Sequence, residues 1–352
     1  MRRTIAVAAC RVFPAAAFFF LTLHALGAAQ SCQPKLYAPA GTPSVSPALQ
    51  GPGLLLVGGG TDIARDFTWA NQTLFGTLAG RHGNVLVLRA YGDNDYDAWI
   101  YNATSFASVR TLLIKPCVPR ATVDTLAPYV DAADMVFFSG GDQGDYAPWK
   151  GTALIAAIKR LYARGGIVGG TSAGLAMQGA VDFDAVAADR LNVEVHTADA
   201  VPNPFERRLS LTTGYFAWPP LANTITDTHY AKRNRFGRSV VFLARAQHAG
   251  YISPSVGYVL GIDQESALGV DRYGHAVLMT SGRSRGVYLV SAGRQPIARG
   301  LPFHYTVQVL HVYLDNAKLN LMTHQGQGDS YGVTVDSRIP GFYSRDPYEA
   351  PR

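Results

Sequence analysis

The sequence predicts an α/β fold: three layers, with a mostly parallel sheet carrying helices on both faces, and a strand-rich C-terminal extension. Three observations predict it. Short apolar runs without alternation recur between helix-like stretches, the pattern of strands buried on both faces. Glycine-rich turns follow the first, fourth and fifth of these runs, so all three share the edge where open parallel sheets hold ligands. From about residue 205 the texture changes to strand-like pieces carrying aromatics.

The elements follow in order. Residues 1–29 have a secretory signal layout: Arg2, Arg3 and Arg11, then an apolar stretch from Phe13, then the small residues Gly27-Ala-Ala29. The apolar stretch falls short of the roughly 20 residues of a spanning helix. The expected location is therefore secreted or periplasmic, with no stable membrane insertion after cleavage. Cys32 raises a lipid anchor, but the residues before it make a poor lipidation site. Residues 30–52, rich in Pro, Ala, Ser and Gly, read as a linker or arm.

Residues 53–300 read as the main domain. Its apolar runs are Leu54–Val57, Val85–Leu88, Thr111–Ile114, Met135–Phe138 and Gly166–Val168. Helices are expected over 66–80, 96–107, 120–130 and 150–163. The last is the clearest, with Leu154, Ile155, Ile158 and Leu161 on one face. Later strands are expected at Val240–Leu243, Gly257–Ile262, Ala276–Met279 and Gly286–Val290, and over 303–314. Residues 301–352 read as a C-terminal extension packed on or trailing the domain, loop-like from about 325.

Charge excludes some functions. The net charge of +6 falls to +3 without the signal, with 28 basic against 25 acidic residues. That is too mild to indicate nucleic acid or a membrane surface. Cys32 and Cys117 can pair in an oxidising compartment, or stand as two free thiols. Their spacing matches no zinc pattern, and neither a metal nor an organic cofactor is expected.

The chemistry concentrates in four segments. Gly170-Thr-Ser172-Ala-Gly174 fits G-x-S-x-G, in which a sharp strand-to-helix turn exposes a serine hydroxyl. The amide of Ala173, at the helix start, faces a developing oxyanion. Ser139-Gly-Gly-Asp-Gln143 ends the fourth run, where Gln143 can hydrogen-bond a substrate amide or carboxylate. A serine needs a base. Of nine histidines, His229 alone precedes a basic run, Arg233, Arg235 and Arg238, which suits a substrate with carboxylates. In Gly261-Ile-Asp263-Gln-Glu265, Asp263 or Glu265 can orient the imidazole. The order serine, histidine, acid differs from the serine, acid, histidine order of α/β-hydrolases. An esterase of that fold is the less favoured reading.

With GGTSAG, SGGDQ, DTHYAKRNRFGR and GIDQESAL in order, residues 53 to 290 resemble the cyanophycinase family of serine peptidases. The resemblance implies a fold like class I glutamine amidotransferases. It also implies exopeptidase cleavage of cyanophycin, a poly-aspartate bearing arginine on each β-carboxyl, to β-Asp-Arg dipeptides. It makes Ser172 the nucleophile and His229 the base. Gly141 and Ala173 become the oxyanion donors, and Gln143, Arg233, Arg235 and Arg238 the substrate contacts. The expected partner is thus a polymeric or oligomeric aspartyl-arginine substrate, and a homodimer is left open. Two positions depart from the family pattern. Thr228 replaces a glutamine before the histidine, and Gln264 stands where the family has glutamate. Glu265 is therefore expected to supply the carboxylate. A peptidase E-like aspartyl dipeptidase shares the serine turn. A catalytically weak polymer- or peptide-binding homologue accounts for Gln264. The segment 180–226 is longer than the family core requires, which suggests a lidded or altered cleft.

Overall fold

The computed structural model describes residues 32–62, 64–189, 193–282 and 285–349. The signal-like residues 1–29 lie outside them. Among the described residues no helix is long and apolar enough to cross a membrane.

The fold is mixed α/β. Its parallel core comprises β1 (Gly53–Val57), β2 (Asn84–Arg89), β3 (Ser108–Leu113), β4 (Met135–Phe138) and β5 (Ile167–Thr171). Their spatial order is β3-β2-β4-β5-β1. Side chains alternate between two cores. Leu54, Leu56, Leu86, Leu88, Val136 and Phe138 face one. Leu55, Val57, Val85, Val87, Met135 and Phe137 face the other. This is why the runs are apolar without alternation. Helices α1 (Ala64–Phe75) and α2 (Asp95–Ala103) contribute Phe67, Leu74 and Ile100 to the second core. On the opposite face lies α3 (Ala153–Ala163), with Leu154, Ile155, Ile158 and Leu161 buried as its spacing predicts. Thr152 caps α3 by accepting from the amide of Ile155.

After β5 comes the short helix α4 (Ala173–Ala176). A second sheet then starts with β6 (Val181–Phe183), β7 (Leu211–Thr213), β8 (Thr224–Asp227) and β9 (Tyr258–Ile262). Between β8 and β9 runs α5 (Phe236–His248). The chain returns to the first sheet as β10 (Ser266–Asp271), antiparallel to β1, and β11 (His275–Thr280). It then completes the second sheet with β12 (Val287–Ser291), β13 (His304–Val312) and β14 (Asp329–Asp336). The second sheet runs β14-β13-β12-β9-β8-β6-β7.

The late strands therefore do not simply extend one parallel sheet. Only β8 with its neighbours β6 and β9 is parallel there. Two local expectations also fail. Val240–Leu243 reads as a strand from its branched side chains, yet it lies inside α5. Phe236, Val240, Leu243 and Gln247 recur at helical spacing and are all buried. The tail is not loop throughout. Residues 329–336 alternate buried and exposed positions, the half-buried pattern of an edge strand, and pair with β13. Cys32 and Cys117 form a disulfide, with Cα atoms 5.7 Å apart, fastening the N-terminal arm.

Candidate active site

β5 delivers Ser172 in a backbone conformation that side chains rarely adopt, φ 53° and ψ −116°. It is held there from both sides. Its amide donates to the carbonyl of Val57, and its own carbonyl accepts from Leu175 and Ala176 at 2.9 Å. Such a conformation costs on the order of 1–3 kcal/mol and persists only where the surroundings fix it. The flanking glycines allow the bend. A Cβ on Gly170 would fall 2.4 Å from the carbonyl oxygen of Gly174, and one on Gly174 would fall 2.3 Å from that of Phe138. Thr171 ties the strand end to Asp62, whose carboxylate also accepts from Tyr96. Burial raises the pKa of Asp62. Sequence reasoning missed this brace, since Asp62 stands in no recognisable motif.

His229 arrives from β8, in the other sheet. It too has positive φ, 46°, and its amide donates to the carbonyl of Gly58 at 2.9 Å. Its Nε2 lies 2.6 Å from Ser172 Oγ, within reach of a base for a nucleophile. Gly59 covers the ring so closely that a Cβ there would lie 2.5 Å from His229 Cε1. Burial, then the charges of Arg233 and Arg235, lower the His229 pKa to about 3. The imidazole is therefore neutral at ordinary pH and able to accept a proton.

The third position is a correction. Gln264, not Glu265, meets the imidazole, with its side-chain amide 2.6 Å from Nδ1. Glu265 accepts from Ser281 Oγ at 2.6 Å instead. Neighbouring residues in a turn after a strand point different ways, and the register of the crossing from β9 to β10 puts Gln264 inward. Asp263 does not reach the ring either. Its carboxylate accepts from the amides of Ala231, Lys232 and Arg285, pinning the histidine loop. For the imidazole to accept the serine proton at Nε2, its hydrogen must sit on Nδ1. The Gln264 amide must then present its oxygen to that nitrogen.

Ser172 opens into a cavity of about 460 Å³, lined by Gly141, Asp142, Gln143, Asp145, Glu194 and the three arginines among others. Gly141 has φ 135°, and a Cβ there would meet nothing within 4 Å, so its backbone borders open space. Ala173 is buried at the start of α4. Gln143 sits in the wall, its amide donating to the carbonyl of Phe183 at 3.4 Å. Burial and Asp142 raise the Asp145 pKa to about 6.

The three arginines expected as substrate contacts divide by burial and pairing. Arg238 is 2% exposed and donates twice to Asp227, at 2.6 and 2.9 Å. Burial alone would raise the Asp227 pKa, but Arg238, then Arg235 and Ser239, hold it below the usual range. Arg235 is 9% exposed, donates to Thr228 and Glu194, and has its pKa lowered by burial and by Arg238 to about 10. Arg233 is 44% exposed, lines the cavity and lies 3.7 Å from the Glu194 carboxylate. The carboxylates Asp227 and Glu194 were not singled out in the sequence. Asp227 stands two residues before His229, within the motif, and was readable as a partner for the basic run. Glu194 carries no such signal.

No protein-family model matches the chain, and no curated protein matches it. Several solved structures are similar to it, among them two peptidases. One is a peptidase from an acI-B1 Actinobacterium, 17% identical with a TM-score of 0.46, covering 73% of this chain and 97% of that one. The other is a candidate peptidase E protein from Listeria monocytogenes EGD-e, 15% identical with a TM-score of 0.39, covering 65% and 98%. Likeness at this level carries no argument about the reaction of this chain.

Proposed function

We propose that this protein is a serine-type exopeptidase, secreted or periplasmic, that hydrolyses cyanophycin to β-Asp-Arg dipeptides. The observation that carries the reading is the 2.6 Å contact between Ser172 Oγ and His229 Nε2, at a strained turn opening into a charged cavity. Ser172 Oγ attacks a backbone carbonyl while His229 Nε2 takes its proton. The amides of Gly141 and Ala173 hold the oxyanion. His229 then gives the proton to the leaving amine, and the acyl-serine is hydrolysed by water activated in the same way. A cavity lined by Arg233 and also by Asp142 and Asp145 suits a unit that carries both a carboxylate and a guanidinium. The class I glutamine amidotransferase-like layering belongs to this reading, supported by the parallel core with helices on both faces.

A second reading is favoured by one observation. Among the described residues the group on His229 Nδ1 is an amide, not a carboxylate. That suits a homologue that binds aspartyl-arginine polymer or peptide with weak catalysis. Incubation of the mature chain and its Ser172→Ala form with insoluble cyanophycin separates the two. Release of β-Asp-Arg by the wild type alone establishes the peptidase. Co-sedimentation of both forms with the granules, without dipeptide, establishes the binding protein.

A further inference from the structure

The guanidiniums behind Ser172 already hold an acid. The Glu194 carboxylate accepts a hydrogen bond from Arg235 and lies 3.7 Å from Arg233 Nη1 and 3.9 Å from Arg238 Nη1. It lines the same cavity as Ser172. Burial raises its pKa, but Arg235 outweighs that and brings it below the usual range, so it is ionised. Asp227 and Glu194 differ in kind. Asp227 is 3% exposed and locked to Arg238 by two hydrogen bonds and to Ser239 by a third. Glu194 is 39% exposed, so its own carboxylate can turn into solvent. Three guanidiniums share these two carboxylates. A substrate carboxylate approaching Arg233 and Arg235 finds its place taken by a group of identical chemistry.

We infer that Glu194 is a specificity-determining residue, a resident competitor that a substrate carboxylate displaces from Arg233 and Arg235 in order to bind. The inference rests on reading the cavity as the substrate site. Exchange of one carboxylate for another leaves the buried Arg235 compensated throughout, whereas a neutral group in that place would strand it. Only an anionic ligand can therefore displace Glu194, and it gains only the difference between the two.

The test needs no turnover. Succinate, a plain dicarboxylate, is titrated calorimetrically into the full-length Ser172→Ala protein with and without Glu194→Gln. If the vacated state is about a tenth of the population, removing the competitor tightens binding about tenfold. Arg233→Ala in the Glu194→Gln background should cancel that gain. Unchanged or weaker binding in the Glu194→Gln protein, or no binding in either, overturns the inference. So does a gain that survives Arg233→Ala, since the anion would then sit elsewhere. If Glu194→Gln fails to fold, Glu194→Asp shortens the reach by one methylene and carries the test. It should tighten binding by a smaller factor, and unchanged or weaker binding overturns the inference equally. A protein that binds succinate as expected but cleaves no cyanophycin would refute the proposed reaction and leave the role of Glu194 standing.

Discussion

Replacing Gln264 by glutamate should improve the catalyst and move its pH dependence. The side chain at 264 lies 2.6 Å from His229 Nδ1, so a carboxylate there sits within about 4 Å of the imidazolium charge. At an effective dielectric near 20 that attraction is worth about 4 kcal/mol, or about three pKa units. His229, held at about 3 by burial and by Arg233 and Arg235, should then titrate near ~6. The sign follows from the role of the base. His229 accepts a proton only when neutral, so activity is lost as pH falls through its pKa. The acid limb of kcat/KM should lie near its pKa of about 3 in the wild type, and about three units higher in Gln264→Glu. At neutral pH both forms carry a neutral base, but the variant stabilises the imidazolium formed in the transition state. Part of the ~4 kcal/mol is lost in desolvating the new carboxylate, which leaves a gain in kcat of about a hundredfold. The assay is dipeptide release from soluble cyanophycin across pH 3–9 for both proteins. An acid limb that stays in place, with kcat unchanged, would show that position 264 does not govern the imidazole and would refute the reasoning.

Three further outcomes follow from the same geometry. Asp227→Asn leaves Arg238 buried without its charge partner and should lower stability by about 3–5 kcal/mol in urea titrations. Because folding depresses the Asp227 pKa, its contribution in the wild type is complete above the unfolded value near ~4 and is lost as pH falls through the folded one. Arg233→Ala, at an exposed position, should change stability by less than about 0.5 kcal/mol. It should raise KM for aspartyl-arginine substrates about tenfold with kcat nearly constant, the mark of lost uniform binding. Gly59→Ala puts a methyl into the His229 ring; a shift of about 1 Å in the base should cost about a hundredfold in kcat, with the far-ultraviolet circular dichroism unchanged.

The parallel core and the serine turn were legible because each depends on short stretches of chain. Burial on both faces dictates unbroken apolar runs such as Leu54–Val57, and the close approach of Gly170 to Gly174 dictates the glycines around Ser172. The second sheet was less legible. Val240–Leu243 has the composition of a strand, and only its neighbours at helical spacing show that it lies in α5. The identity of the side chain facing His229 Nδ1 was not legible either. Gln264 and Glu265 are adjacent, and which one points inward depends on how the chain crosses from β9 to β10. The pairing of Arg235 and Arg238 with Asp227 and Glu194 is a burial effect. Composition shows a basic run, but only packing shows which guanidiniums are already neutralised.

Ser172 follows a strand of the first sheet, whereas His229 follows a strand of the second, and Gln264 stands on the crossing between them. The reactive pair is therefore a product of docking, and neither half contains it. On the proposed reaction, a chain whose two sheets are not seated against each other has no base for its serine. Under the proposed function, such a molecule presents no paired nucleophile to its own loops or to its neighbours before assembly is complete. For the same reason, loss of activity should precede loss of helical signal on gradual unfolding. Hydrolysis then works as a gauge of how firmly the two sheets are seated against each other.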